Sequence, residues 1–306
     1  MVVTLILKSR TEPKELMTFR LLNKRMNLTN EDKQYYQALQ KGYEGEVMFD
    51  EILHELQGDW YILNDLLFNV NNNTFQIDTL IITSDVVYIF EIKNYEGDFY
   101  YNSGRIFTLK HVEINNPVHQ LNRSRYLLQQ LIHHLGYHLK VEASVVFIHP
   151  HFMLYRAPLD QPFIFPPQLK PYLKNMAANT SHLNEKHRLL AKKLLSLHKD
   201  SSPFTQLPKY RFDELKKGIT CLKCDSFSVT VDDQYCSCNR CGFKESIKDA
   251  VIRSVEEYVL LFPERKITTS AIYEWCKIIP SRKRITNILV KNYKKVGSRR
   301  WTYFEK

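Results

Sequence analysis

The sequence predicts an α/β chain followed by a small cysteine-bound metal module and a basic, mostly helical C-terminal segment. Three features predict it. Two apolar strand-like runs flank a polar turn at Ser84-Asp85, between stretches of helical periodicity. Two C-x-x-C pairs lie thirteen residues apart. The last thirty residues carry ten Lys or Arg against Glu305 alone, or +9 of a whole-chain net charge of +10. A length of 306 residues with 44% hydrophobic content suggests about two domains with ample core, on a prior of about 100–200 residues each.

In chain order, residues 1–40 read as a charged, helical N-terminal segment, with Asn30, Glu31 and Asp32 as a helix start. Val47, Phe49, Ile52, Leu53 and Leu56 then recur at helical spacing up to Gly58. A short strand is predicted at 60–63 and a turn at 69–73. The apolar hairpin of 76–94 follows, then a second hairpin over 98–110 with Ser103-Gly104 at its tip. Asn116-Pro117 opens a long helix, because proline at the first helical position forgoes an N–H that would be unpaired anyway. Gly136 ends it. Residues 142–149 read as a buried strand, 158–171 as a proline-rich loop, and 184–198 as a helix with Leu189, Leu190, Leu194 and Leu197 inward. The domains expected are 1–40, 41–198, a linker at 199–218, a cysteine module at 219–248 and a basic domain at 249–306.

The hairpin carries the chemistry. A turn symmetric about Ser84 and Asp85 sets Asp78 opposite Glu91, with Cβ atoms about 4.5–5.5 Å apart. The strand period of two keeps Lys93 on the face of Glu91. Like charges directly opposite are unfavourable, so the pair makes most sense around a divalent cation. A hard cation such as Mg²⁺ or Mn²⁺ takes oxygen ligands; Asp78, Glu91, the backbone carbonyl of Ile92, and Glu46 from the preceding helix are the candidates. Lys93 would stabilise charge on a phosphate, and Gln120, one turn into the helix after Pro117, would hold a water or Lys93. The competing reading is a solvated Glu91–Lys93 pair, worth about 0–1 kcal/mol. The apolar neighbours on both strand faces count against it, since a buried charge needs a partner or a metal.

GYEGE at 42–46, QID at 76–78, EIKN at 91–94 and NPVHQ at 116–120 together resemble the successive motifs of the nuclease-related domain (NERD) family. The resemblance spans roughly residues 40–150. It implies a restriction-endonuclease-like αβββαβ core of the PD-(D/E)XK nuclease superfamily, with a Mg²⁺-dependent site hydrolysing phosphodiesters. Residue by residue, it carries Glu46, Asp78, Glu91, Lys93 and Gln120 into that site.

Cys221, Cys224, Cys238 and Cys241 have the spacing of a closed tetrahedral Zn²⁺ site, which is structural rather than catalytic because no ligand position stays open. Cys236 is an alternative ligand at a less typical spacing, and Cys276 reads as a buried apolar residue. Beyond the zinc ribbon, three short helices and a basic hairpin around Gly297 resemble a winged helix. Arg282, Lys283, Arg284, Lys291, Arg299 and Arg300 would contact phosphates there, giving salt-dependent affinity. Such a patch points to nucleic acid, DNA favoured. No run reaches the ~18 apolar residues of a membrane span. The start lacks the features of a signal peptide, and paired cysteines with metal-ligand spacing fit a reducing cytoplasm. The sequence therefore predicts a metal-dependent nuclease. The alternative is a non-catalytic DNA-binding protein or a regulatory partner in a DNA repair or defence system.

Overall fold

The computed structural model describes residues 4–178, 182–199 and 205–306. They divide into two compact units: residues up to 12 with 37–205, and residues 13–36 with 206–306. The elements of the first half are β1 (Thr4–Lys8), α1 (Lys14–Arg25), α2 (Asn30–His54), β2 (Trp60–Val70), β3 (Asn73–Ile82), β4 (Val86–Lys93), β5 (Gly97–Asn102), β6 (Arg105–Thr108), β7 (Glu113–Ile114), α3 (Pro117–His134), β8 (Lys140–Phe147), β9 (Phe152–Tyr155), β10 (Phe163–Ile164), α4 (Pro166–Ala178) and α5 (Glu185–Leu197). The second half adds β11 (Val229–Val231), β12 (Tyr235–Cys238), β13 (Lys244–Ser246), α6 (Ile247–Leu261), α7 (Thr269–Cys276), α8 (Arg282–Asn292), β14 (Lys294–Val296) and β15 (Tyr303–Glu305).

The first unit is built on a six-stranded mixed sheet in the order β1-β2-β3-β4-β8-β10. Its centre follows from the sequence: β2, β3 and β4 form an antiparallel meander, and β8 returns parallel to β4 after the α3 crossover. Both faces are covered, as strands this apolar require. Phe49 and Leu53 of α2 pack with Ile62, Ile81, Phe90 and Leu173 on one face. Leu121, Leu128 and Leu131 of α3 pack with Leu80, Ile89, Val145 and Leu190 on the other. The insertion between β4 and α3 supplies β5, β6 and β7 of a second sheet, β7-β6-β5-β9, which β9 joins from beyond β8 by pairing parallel to β5. Its β5–β6 turn is at Ser103 (φ 47°) and Gly104 (φ 83°).

Asn116 caps α3 by accepting from the Val118 N–H at 3.1 Å, with Pro117 at the first position. The β3–β4 turn is symmetric about Ser84 and Asp85: Thr83 N–H donates to the Val86 carbonyl at 3.0 Å. Four expectations need correction. Residues 4–8 form a strand parallel to β2 rather than a helix; Leu5, Ile6 and Leu7 are consecutive apolar residues, so no alternation marks the strand in the sequence. The strand predicted at 60–63 runs on to Val70. The proline-rich 158–171 stretch contains β10 and the start of α4; Pro166 and Pro167 sit where a helix has free N–H groups. On α5, Leu190, Ala191 and Leu194 face inward, whereas Leu189 and Leu197 are exposed.

The second unit joins α1 to the C-terminal third. Residues 200–204 of the expected linker lie outside the described residues; further on, Phe212 and Leu215 are buried. Tyr258, Phe262, Trp275 and Phe212 form an aromatic core, with the Phe212 and Trp275 ring centroids 5.7 Å apart. The Arg25 guanidinium lies 4.1 Å over Trp275 and pairs with Glu257. It also donates to the carbonyls of Lys216 (2.8 Å) and Gly218 (3.2 Å). This one buried cation ties α1, α6, α7 and the 205–220 segment together. α7 is capped by Thr268, and the β14–β15 hairpin is extended by an antiparallel bridge from Ile267 to Phe304.

Two glycines of α2 differ sharply. A Cβ on Gly45 would lie 2.5 Å from Asn94 Cβ and 3.1 Å from Ile148 Cγ2, while one on Gly42 would meet nothing within 4 Å. Gly45 thus permits the close approach of α2 to the end of β4, and Gly42 is only a weak helix former. Gly45→Ala should lower stability by about 1–3 kcal/mol through overpacking. Gly42→Ala should raise it by about 0.5–1 kcal/mol. Urea titrations of the two variants check this, and equal shifts would contradict the packing argument.

Candidate active site

The β3–β4 ladder has the register read from the sequence: Ile82 faces Val87, Leu80 faces Ile89, and Thr79 faces Phe90. The next rung would join Asp78 to Glu91, but the ladder stops one rung short. At this level the apolar alternation changes phase. Phe75 and Ile77 belong to the same cluster as Leu80 and Ile82, and on β2 Leu63 shares it with Leu66. Asp65 sits at the break with φ 52°, a left-handed conformation that aspartate tolerates better than most residues. The break frees Asp78, whose Oδ2 accepts the Ile92 N–H at 2.8 Å. A side chain thus replaces a ladder bond.

Glu91 is buried on β4, and its Oε1 takes the Lys93 ammonium at 2.7 Å. Asp78 Oδ1 and Glu91 Oε2 have no hydrogen bond among the described residues. Glu46 arrives on α2, where Asn94 Nδ2 donates to the Lys41 carbonyl at 2.8 Å and fixes the helix against the end of β4. Its Oε2 accepts from Arg10 Nη1 at 2.6 Å. Sequence reasoning missed Arg10. It follows β1 and donates on to Asp50 (2.9 and 3.2 Å), the Asp78 carbonyl (2.9 Å) and Thr79 Oγ1 (2.9 Å). No spacing rule singles out one arginine in a charged leading segment; only the strand pairing of β1 delivers it.

Electrostatics follows from this crowding. Burial, then the charge of Asp78, push Glu46 up to about 8 against the pull of Arg10. The same two causes push Glu91 up to about 8 against Lys93. Asp78 is also raised, by burial, with Lys93 and the Ile92 N–H opposing. Burial lowers Lys93, but Glu91 and Asp78 outweigh it and hold the ammonium above its ordinary value. Asp78 and the three side chains Glu46, Glu91 and Lys93 are therefore electrostatic neighbours. Gln120 is exposed on the first turn of α3, and no hydrogen bond among the described residues joins it to them.

The cysteines form a tighter group. Among the described residues, Cys221, Cys224, Cys238 and Cys241 are the one set of three or more possible ligands lying within 4.8 Å of one another. Cys221 and Cys241 sulfurs are 3.6 Å apart, and those of Cys224 and Cys238 3.5 Å. A tetrahedron with Zn–S bonds of about 2.3 Å has edges of about 3.8 Å, so the quartet could hold Zn²⁺ and form a zinc ribbon. The two knuckles match: Asp225 N–H donates to the Cys221 carbonyl and Gly242 N–H to that of Cys238, at φ 58° and 73°. Cys236 is buried outside the quartet, and Cys276 is buried in the second unit's core.

In the basic C-terminal segment, Arg282, Lys283, Lys291 and Arg299 are exposed, while Arg284 is half-buried and donates to the Asp233 carbonyl. The side chain of Arg300 lies outside the described residues. No helix among the described residues is long and apolar enough to cross a membrane.

Residues 41–148 match the family model described as nuclease-related domain (NERD). The match holds Glu46, Asp78, Glu91, Lys93 and Gln120 and leaves out Arg10 and the cysteines. No curated protein and no solved structure matches the chain.

Two outcomes follow. Between about pH 4.5 and about 8 the unfolded carboxyls ionise while folded Glu46 and Glu91 keep their protons. Without divalent cations, stability should fall as pH rises through this window. Asp78→Asn removes the repelling charge and should flatten the fall; melting temperatures across the window test it, and a parallel slope in the variant would refute the coupling. Purified protein should carry one equivalent of zinc by metal analysis. Cys238→Ser should lose it and Cys236→Ser keep it; loss in both would redraw the ligand set.

Proposed function

We propose that the chain is a metal-dependent nuclease that hydrolyses phosphodiester bonds in nucleic acid, DNA favoured. The observation that carries this is the meeting of buried Asp78 and Glu91, each with one oxygen free of hydrogen bonds, beside the Lys93 ammonium. The order of α2, β2, β3, β4, α3 and β8 supports a restriction-endonuclease-like αβββαβ core, and the match to a nuclease-related family supports the reaction class. The domain division proposed is a nuclease-like domain over 41–198, a zinc ribbon over 219–248 and a winged-helix-like module over 249–306. Helices α6, α7 and α8 followed by the bridged β14–β15 hairpin support the last. A cytoplasmic setting suits a protein that keeps its cysteines as thiolates.

The donor chemistry fits Mg²⁺ or Mn²⁺. Hard cations prefer carboxylate and carbonyl oxygen, and Asp78, Glu91, the Ile92 carbonyl and Glu46 would supply it. When bound, such an ion polarises the phosphate and lowers the pKa of a water. Lys93, held against Glu91 at 2.7 Å, would set its positive charge against the negative charge that develops on a phosphate. Glu46, fixed by Arg10 through Oε2, has Oε1 to receive a proton near neutral pH, where its raised pKa lets it exchange one. Gln120 would orient a water from the rim. The zinc ribbon supplies structure only, and Arg282, Lys283, Arg284, Lys291, Arg299 and Arg300 would bring the phosphate backbone to the protein.

The test is cleavage of labelled DNA and RNA with Mg²⁺ or Mn²⁺. Lys93→Ala should lose about 10²–10³-fold, the scale of a lost charge-stabilising donor, and Asp78→Ala should be inactive. Equal cleavage by all three proteins would assign the activity to another site or a contaminant.

A further inference from the structure

One face of α8 borders a concavity. On α8, Arg284, Asn287, Ile288 and Lys291 share a face by their i, i+3, i+4 and i+7 spacing. That face lines an open hollow of about 390 Å³, bounded on the other side by Gln234 in the turn before β12 and by Ser246, Ile247 and Lys248 at the start of α6. All of these belong to the second unit. Three cations line the hollow and no carboxylate does. Of the acids adjacent in sequence to the lining residues, Asp249 accepts from Ser246 Oγ at 2.6 Å, Glu245 pairs with Arg253 at 2.7 Å, and Asp233 meets Arg284 through its backbone carbonyl. Among the described residues, the side chains of Gln234, Asn287, Lys248 and Lys291 have no hydrogen bond or ion pair. Ile247 and half-buried Ile288 give the hollow an apolar floor.

We infer that this hollow binds a nucleotide of a single nucleic-acid strand, so the C-terminal unit docks single strands in preference to duplex. The inference rests on the proposed nucleic-acid docking and narrows it. A helix reads duplex by protruding into a major groove about 12 Å wide. Here the face of α8 that carries Arg284, Asn287 and Lys291 is the wall of a concavity, which suits an unpaired nucleotide better than a duplex. The groups present match one. Lys248, Arg284 and Lys291 suit flanking phosphates. The amides of Gln234 and Asn287 suit the base edges that single strands leave open, and the isoleucines suit a base face. Arg284 is already oriented by the Asp233 carbonyl, so its fork is set before binding.

The experiment uses the full chain with Asp78→Asn, so that cleavage cannot consume the probe. Fluorescence anisotropy follows a labelled oligonucleotide, single-stranded or annealed to its complement. The single strand should bind more tightly. Gln234→Ala, Asn287→Ala and Lys291→Ala, exposed residues on both walls, should each weaken it about tenfold and change duplex binding less than twofold. Zinc content and circular dichroism verify that each variant is folded. Duplex binding as tight as single-strand binding, or single-strand binding untouched by all three variants, overturns this inference and leaves the docking reading standing. Binding to neither form at low salt overturns both.

Discussion

Three carboxylates with little access to water, gathered around Asp78, are the constraint that the first unit is built to meet. An ionised carboxylate taken out of water is costly unless paired, and neighbours of like sign deepen the cost. Two cations offset it from different places. Lys93 is local, two residues along β4 from Glu91. Arg10 comes from the far edge of the sheet and spans Glu46, Asp50 and the backbone of Asp78. β1 is thereby more than an edge strand, because it leads into Arg10, the guanidinium without which Glu46 would face Asp78 unscreened. Gly45 belongs to the same arrangement: only a residue without a side chain lets α2 come close enough to β4 for Glu46 to take part.

The second unit solves a similar problem with other means. Its modules are small, and small domains bury too little surface to be stable without staples. The cysteine quartet, which could hold Zn²⁺, would be one staple. The other is Arg25, whose guanidinium stacks on Trp275 while reaching Glu257 and two carbonyls. Glu257 also meets Arg253, which continues to Glu245 of β13 at 2.7 Å. A run of alternating charge thus passes from α1 through α6 to β13. Removing one member would strand the next, the costly way to break a buried pair.

Much of this was legible from the chain itself. Asn116-Pro117, Ser103-Gly104 and the paired C-x-x-C motifs each state a local geometry, and local geometry survives folding. Asp78, Glu91 and Lys93 were legible because one symmetric turn fixes a register over several residues. What escaped was long-range. Arg10 reaches the site through parallel pairing of β1 with β2, and parallel pairing has no turn to announce it. α1 joins residues more than 180 positions away in sequence, through contacts of Arg25 that no periodicity records. Leu189 and Leu197 misled because a leucine-rich helix gives a broad apolar stripe, and only the packing partner selects its centre. The phase change at Asp65 and Asp78 was hidden for a related reason: strands apolar on both faces show no alternation to interrupt.

That phase change bears on whether the charge cluster serves stability. A structural ion pair works best where the sheet is regular, each acid has its cation and pKa values fall. Here the ladder is interrupted, Asp65 adopts a left-handed backbone, and burial lifts the carboxyls instead of their partners depressing them. Well-packed apolar residues would fill the same space at lower cost, since buried ion pairs are often replaceable without loss. Departures from local rules with no structural return concentrate at functional sites. A ligand that brings positive charge would reverse the sign of each effect, turning repelling carboxylates into a shared coordination surface. Under the proposed reading, the crowding that costs the fold stability is what a divalent ion would relieve, and this favours chemistry over scaffolding for Asp78, Glu91 and Lys93.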